Sequence, residues 1–488
     1  MASPSGGDFW RGEAATPYRP PAQAWHDKNV VTPDHSSPNL RSIAMSLRSF
    51  LLLCLASSSL VPLASAKPNI VFILADDLGY ADLSCYGADK IKTPHLDRMA
   101  TEGMKFTDFY ATGCVCSPTR GSLMTGCYPK RIGLHVGVLQ QGGGKGMSPA
   151  ETTIAEVLHE RGYATACIGK WHLGDFHEVM PTSQGFDSYF GMIGENHGMS
   201  DLYRGTTLIE KNRDVDKNQL TKRYTEAAVN FIRVSKDRPF FLYFAHSAIH
   251  VPLFASDEFR GKSAAGLYGD MTEELDSSVG KVLDTLKELN LEQNTLVVFT
   301  SDNGQAGVAA PPLHGGKGST WEAGHRVPCI ARLPGRIPAG SVTREMSVMF
   351  DWAPTMAACA NGSFPNERPI DGRDLWPALE GKPQAAPLHE SFVYYSREGL
   401  PSAIREGNWK LHLVAPVMKW AGKLPPEALL DKLPPEPLPW LFDLASDIGE
   451  TRNVAAQHPE VVAKLRADIG QTDATLTREA RPLFKHTR

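Results

Sequence analysis

Four short apolar runs punctuate the first two thirds of the chain, at 70–74, 164–168, 240–244 and 296–300. Each is apolar at consecutive positions, not alternate ones, which predicts strands buried on both faces. Between them, 153–161, 223–234 and 271–289 carry apolar residues at helical spacing. Strand alternating with helix predicts a mainly parallel sheet covered by helices on both sides, spanning about 67–375. Beyond that point the rhythm shortens. Segments 391–395, 402–405, 409–414 and 440–443 read as short strands separated by turns, hence a small antiparallel sheet. Pro459 suits the first position of a closing helix with Val461, Leu465 and Ile469 on one face. The Pro-rich stretch 424–439 predicts a loop, and no internal repeat is present. The expected fold class is α/β: a large, mainly parallel sheet flanked by helices, then a smaller C-terminal α+β subdomain over 376–488.

The N-terminus breaks this pattern. Residues 1–44 are polar and rich in Pro, Ser and Gly, and read as a disordered or untranslated leader. Met45 opens a signal peptide over 45–66, with Arg48 ahead of an apolar stretch and Ala64-Ser65-Ala66 as its cleavage site. The stretch is too short for a membrane anchor. An exported protein is expected, periplasmic or secreted, with Lys67 first in the mature chain.

Composition narrows the chemistry. Of 488 residues 42% are hydrophobic and 21% charged, and the net charge is −4. No basic field favours nucleic acid, so an anionic substrate must be held by a few local cations. Seven cysteines follow the signal segment, without zinc-site spacing. Their odd number leaves at least one thiol unpaired, and Cys116 is the natural candidate.

In an open α/β sheet, ligands bind beyond the carboxyl ends of the strands. The predicted strands run into Asp76-Asp77, Gly169-Lys170-Trp171-His172, His250 and Ser301-Asp302-Asn303-Gly304; Gly315-Gly316-Lys317 forms a further glycine-rich loop. Asp and Asn are common in strand-end turns. Two such clusters in one fold favour an all-oxygen site for a hard cation, built from Asp76, Asp77, Asp302 and Asn303. Lys170 and Lys317 supply positive charge for an anion. His172 and His250 join that set, and His250 could donate a proton because it titrates near neutrality.

The remaining motif is Cys116-Ser117-Pro118-Thr119-Arg120, followed by Gly121 and Thr125-Gly126. It resembles the signature of type I sulfatases. Asp76-Asp77-Leu78-Gly79, Gly169-Lys170-Trp171-His172-Leu173-Gly174, His250, Ser301-Asp302-Asn303-Gly304 and Gly316-Lys317 follow in that family's order, and the similarity covers roughly 67–470. The chain is most similar to the arylsulfatase A and N-acetylgalactosamine-6-sulfatase group. The resemblance implies an alkaline-phosphatase-like fold and hydrolysis of a sulfated sugar or aryl sulfate. It implies that a formylglycine-generating maturase oxidises Cys116 to formylglycine, whose hydrate attacks sulfur. Asp76, Asp77, Asp302 and Asn303 would bind one calcium ion that also contacts the modified Cys116. Arg120 would hold the modified residue, Lys170 and Lys317 would clamp sulfate, His250 would protonate the leaving alcohol, and His172 would deprotonate the remaining hydroxyl. A helix beginning near Pro118 would point its N-terminus at the anion. A lysosomal location would follow from a eukaryotic source. Thr119 stands where the family more often has Ser; Cys116, Pro118 and Arg120 are intact.

Two other readings fit parts of the sequence. A phosphomonoesterase or phosphodiesterase of the same superfamily would need two zinc ions and more histidines. A non-catalytic sulfated-glycan-binding protein would keep the cationic pocket with Cys116 unmodified.

Overall fold

The computed structural model describes residues 67–194, 200–307, 309, 311–416 and 434–486. The leader and signal peptide, and most of the Pro-rich stretch 424–439, lie outside the described residues. Ten strands form the main sheet: β1 (Asn69–Ala75), β2 (Met104–Phe106), β3 (Ala164–Gly169), β4 (Ser188–Met192), β5 (Leu202–Arg204), β6 (Thr207–Glu210), β7 (Phe240–Ala245), β8 (Thr295–Ser301), β9 (Cys329–Arg332) and β10 (Ser341–Thr343). Their order is β10-β2-β9-β8-β1-β7-β3-β4-β5-β6. The five central strands, β8-β1-β7-β3-β4, are parallel. Antiparallel pairings flank them on both sides.

Consecutive hydrophobicity in β1 has the expected cause. Ile70, Phe72 and Leu74 enter one core, which includes α2 (Cys116–Thr125), α3 (Ile154–Glu160) and α6 (Trp352–Cys359). Val71, Ile73 and Ala75 enter the other, beneath α1 (Pro94–Thr101), α4 (Leu220–Ser235) and α5 (Gly266–Glu288). Each fully buried large aliphatic or aromatic residue stabilises by about 1.5–3 kcal/mol, so both faces of β1 anchor the sheet.

The C-terminal region forms an antiparallel sheet, β11 (Ser391–Tyr395), β12 (Pro401–Glu406), β13 (Trp409–His412) and β14 (Trp440–Asp443), in that order. Helix α7 (Pro459–Arg478) lays Leu465, Ile469 and Leu476 on this sheet's core. No helix among the described residues is long and apolar enough to cross a membrane. The seven cysteines of the described chain are all free thiols.

Two local differences from the sequence reading have clear causes. Segment 193–222, for which the hydrophobic pattern predicts no strand, contains the hairpin β5–β6 that completes one sheet edge. Its strands are short and largely exposed, so they lack a hydrophobic pattern. Helix α2 starts at Cys116, two residues before Pro118. Proline is tolerated there because first-turn N–H groups have no intrahelical acceptor.

Candidate active site

The carboxyl ends of β1, β3, β7 and β8 meet at one crevice, beside the N-terminus of α2. Gly169 ends β3 at φ 110°, where a Cβ would stand 1.7 Å from the Ala245 carbonyl oxygen. Only glycine lets β3 and β7 approach this closely while the chain turns into Lys170. Asp77 and His172 both adopt positive φ, at 65° and 59°. Such backbone is uncommon outside glycine and concentrates at functional sites.

Cys116 is fully buried in the first turn of α2, and burial pushes its thiol well above the ordinary range. Its Sγ lies 3.5 Å from Asp76 Oδ1 and 3.6 Å from Lys317 Nζ. The segment before it is fixed by Thr119, whose Oγ1 accepts from the Gly113 amide at 3.0 Å. Threonine therefore performs this closure with the same oxygen that a serine would offer.

Asp76, Asp77, Asp302 and Asn303 converge as the sequence suggested. The Asp77 amide donates to Asp302 Oδ1 at 3.2 Å, and Asn303 Nδ2 donates to Asp77 Oδ1 at 2.7 Å. The cations divide among them. Lys170 Nζ contacts Asp76 Oδ2 at 2.7 Å, and Lys317 Nζ contacts Asp77 Oδ2 at 2.8 Å. Arg120 places Nε and Nη2 on Asp302 Oδ2 at 2.9 and 2.8 Å, and Nη1 on the Lys170 carbonyl at 3.0 Å. Arg120 thus fixes two strand ends together; its hydrogen bonds go to Asp302 and the Lys170 backbone.

Burial alone would raise Asp76 and Asp302. Around Asp76 the charges of Lys170, His250, Arg120 and Lys317 outweigh it and hold this carboxyl well below its usual range. Asp302 is different: burial prevails over Arg120 and pushes it up to about 6. Burial likewise lowers His172 well below the ordinary histidine range, with Lys170 and Arg120 adding to the effect. Burial also lowers His250, opposed by Asp76 and Asp77. The expectation that His250 titrates near neutrality is thereby shifted. Each histidine favours the neutral form until an anion arrives, because a neighbouring negative charge favours imidazolium.

These donors suit a hard cation. Asn303 Oδ1 is buried and accepts no hydrogen bond among the described residues, which leaves an oxygen available to a cation. Asp76, Asp77, Cys116 and His250 can each bring one ligand atom within 4.8 Å of the others. With Asp302 and Asn303 counted beside them, four of the six donors are oxygens, as suits calcium- and magnesium-class ions. The chemistry available is a buried nucleophile position flanked by two lysines. Two imidazoles and a cation-competent acid set complete it. His250 and Lys317 retain 3% and 5% side-chain exposure, whereas Asp76, Lys170 and Arg120 have none. Solvent therefore reaches the crevice along the His250–Lys317 side.

The sequence reading missed how the His250 loop is tied down. The Asp76 amide donates to the Ala248 carbonyl at 2.8 Å, and the Ile249 amide returns a bond to the Asp76 carbonyl at 2.6 Å. Backbone pairing leaves no residue-type signature, so nothing in the side chains announced it. Also missed was a buried charged cluster, Glu322, Lys410 and Glu450, which links the Lys317 loop to the C-terminal sheet. Lone charged residues scattered over 129 positions carry no local motif.

Comparison with known proteins follows the same lines. The family model described as Sulfatase matches residues 68–363, and the C-terminal region of aryl-sulfatase matches 387–486. N-acetylgalactosamine-6-sulfatase of Canis lupus familiaris is 37% identical over 402 residues, covering 76% of each chain. Arylsulfatase A of Homo sapiens is 36% identical over 458 residues, covering 85% of this chain and 89% of its own. Among solved structures, Ps i-CgsB in complex with k-i-k-neocarrahexaose superimposes with a TM-score of 0.73 at 30% identity, covering 86% of this chain and 95% of that one.

Proposed function

Because the chain belongs to the sulfatase family and is a sulfate ester hydrolase, we propose that it removes sulfate from a sulfated sugar through formylglycine made from Cys116. The catalytic unit is 67–375, and 376–488 forms its C-terminal subdomain. The observation that carries this reading is Cys116 itself, buried at the helix start within 3.6 Å of both an acid and a lysine. A thiol held protonated by burial is a poor nucleophile, so conversion to another nucleophile explains a cysteine here. Oxidised to formylglycine, Cys116 supplies, as its hydrate, one hydroxyl oxygen to bond sulfur and a second whose deprotonation lets the carbon–oxygen bond to sulfate break.

The chain's own residues do the rest. Lys170 Nζ and Lys317 Nζ bind the sulfate oxygens, where negative charge accumulates in the transition state. Sulfate raises His250 toward imidazolium, and its ring proton passes to the leaving alcohol oxygen. His172 takes the proton of the remaining hydroxyl. Arg120 keeps Asp302 and the Lys170 backbone in register. Asp76, Asp77, Asp302 and Asn303 would hold one calcium ion, which would offset charge on the nucleophile and sulfate oxygens. A formylglycine-generating maturase is the required partner. Export to a periplasmic, extracellular or lysosomal compartment fits the segment 45–66.

The test is mass spectrometry of tryptic peptide 106–120, with hydrolysis of 4-nitrophenyl sulfate and N-acetylgalactosamine 6-sulfate. The expected result is an aldehyde at Cys116, one calcium and no zinc per chain, and sulfate release that Cys116→Ala abolishes. Full activity with an unmodified thiol, or two zincs and no calcium, would overturn the mechanism.

A further inference from the structure

A recess of about 540 Å³ is lined by Gly142–Gly144, Lys145, Phe176, Lys485 and His486. Two short strands build it. Lys145–Gly146 pairs antiparallel with Phe484–Lys485, and the register sets Lys145 directly opposite Lys485. Both lysines are exposed, and neither makes a side-chain hydrogen bond or ion pair among the described residues. Like charges directly opposed on an antiparallel pair are destabilising. Among the described residues no carboxylate pairs with either lysine; the nearby Asp175 accepts the Gly142 amide on Oδ2 at 2.6 Å, and its Oδ1 is buried. Phe176 and His486 stack beside the lysines, with ring centroids 4.3 Å apart and planes 12° from parallel.

The recess is joined to the catalytic residues. The Leu139 amide donates to Ser117 Oγ, next to Cys116, at 3.0 Å, and the Met147 amide donates to the Leu173 carbonyl at 2.8 Å. Loop 139–147 therefore runs from the nucleophile helix to the segment that follows His172. Asp175, three residues past His172, lies within about 11 Å of it along the chain. An oligosaccharide with one sulfate at Cys116 would lie over this loop.

The geometry points to a second anion subsite: Lys145 and Lys485 bind a sulfate or carboxylate on a sugar neighbouring the one that loses sulfate, and the Phe176–His486 pair borders it. The preferred substrate is then a polyanionic oligosaccharide. A single sulfated sugar leaves this subsite empty. The inference rests on the crevice being the sulfate-ester site. Residue 145 lies in the region matched as Sulfatase and 485 in the C-terminal match, so the subsite needs both.

The experiment measures binding of a fluorescently labelled chondroitin 6-sulfate hexasaccharide, which sets a uronate carboxylate beside each N-acetylgalactosamine 6-sulfate. Full-length wild type, Lys145→Gln/Lys485→Gln and the control Lys287→Gln are compared at low and high salt. The double variant should bind the hexasaccharide about 2- to 30-fold more weakly, the range for two exposed ion pairs. High salt should narrow the difference, and the control should match wild type. Competition by N-acetylgalactosamine 6-sulfate should be the same for all three. A loss under about twofold in the double variant, on the same exposed-pair scale, overturns the subsite. Equal loss for the monosaccharide also overturns it, by placing the lysines at the scissile sulfate. Wild-type turnover of 4-nitrophenyl sulfate is read separately: its absence sinks the sulfatase mechanism and leaves the binding comparison standing.

Discussion

Two buried charge clusters lie a few residues apart along the chain, on either side of the Lys317–Glu322 segment. The first gathers Asp76, Asp77 and Asp302 with Arg120, Lys170 and Lys317. The second gathers Asp108, Glu322 and Glu450 with Arg326, Arg405 and Lys410. Both balance three acids against three cations, and they differ in what is left over. In the second, every glutamate oxygen is engaged. Glu322 Oε2 accepts from Tyr110 and Arg326, and Oε1 from Tyr394 and Lys410. Glu450 Oε1 meets Lys410 and His412, and Oε2 accepts the Glu322 amide. In the first, every carboxylate oxygen likewise has a partner, but Asn303 Oδ1 accepts no hydrogen bond among the described residues and Asp302 is pushed toward protonation. The second cluster fixes two sheets to each other, and both of its buried glutamates keep all their oxygens on protein donors. The first adds a buried acceptor with no donor and an acid shifted upward, which suit it to a cation. That spare acceptor, not charge content, separates chemistry from architecture.

The sharpest way to break that distinction is to damage each cluster and read both activity and stability. Cys116→Ala should lower sulfate release by about 10⁶-fold, the scale for deleting a covalent nucleophile. Its urea midpoint should move little, because one small buried group is lost. A collapse of stability comparable to that of activity would mean that the crevice is structural too.

His250→Ala refines the same side of the comparison. A single general acid contributes about 10²–10⁴-fold, and only when the leaving alcohol is basic. Hydrolysis of N-acetylgalactosamine 6-sulfate should fall much further than that of 4-nitrophenyl sulfate, while Lys317→Ala should lower both alike. Equal losses in His250→Ala would move the acid role to Lys317.

The contrast also explains what was legible beforehand. Central strands were visible because burial on both faces demands consecutive apolar residues, as in β1, β7 and β8. The outer hairpin β5–β6 was not, since exposure removes that demand. The crevice residues stood out because strand-end turns place them within short motifs. The second cluster was invisible: Glu322, Lys410 and Glu450 are isolated in sequence, and only the docking of β13 on the main domain brings them together. His250 showed a further gap, since burial sets its protonation and sequence does not record burial.

On the architectural side the expected effect is on folding. Lys410→Met leaves two buried glutamates short of a cation and should destabilise by about 3–5 kcal/mol, the cost of breaking a buried pair. The loss should appear as a lower urea midpoint with the m-value retained. Enzyme assayed well below that midpoint should keep most of its kcat. If kcat falls as steeply as in Lys317→Ala, the two clusters are one functional unit and the distinction fails.

The smallest effect is a pH dependence. Burial alone would raise Glu322, yet Lys410, Arg326 and Arg405 outweigh it, helped by the Tyr110 hydroxyl. Its folded-state value therefore lies well below the ordinary 4.5. A carboxyl depressed in the native state binds protons more readily when unfolded. Its contribution to stability is complete above that ordinary value and is lost as pH falls toward the folded one. The part of the wild-type urea midpoint due to Glu322 should thus hold from about pH 7 to 5 and then drop; Asp302, His172 and His250 also shift on folding, and comparison with Glu322→Gln, which retains them, isolates the Glu322 part. Glu322→Gln cannot ionise. It should begin lower at neutral pH, because Lys410, Arg326 and Arg405 lose a buried counter-charge, and it should fall less steeply on acidification. The gap between the two proteins should narrow as pH decreases. Parallel curves would show that Glu322 titrates alike in both states, and the second cluster would then owe its stability to packing and neutral hydrogen bonds, not to charge.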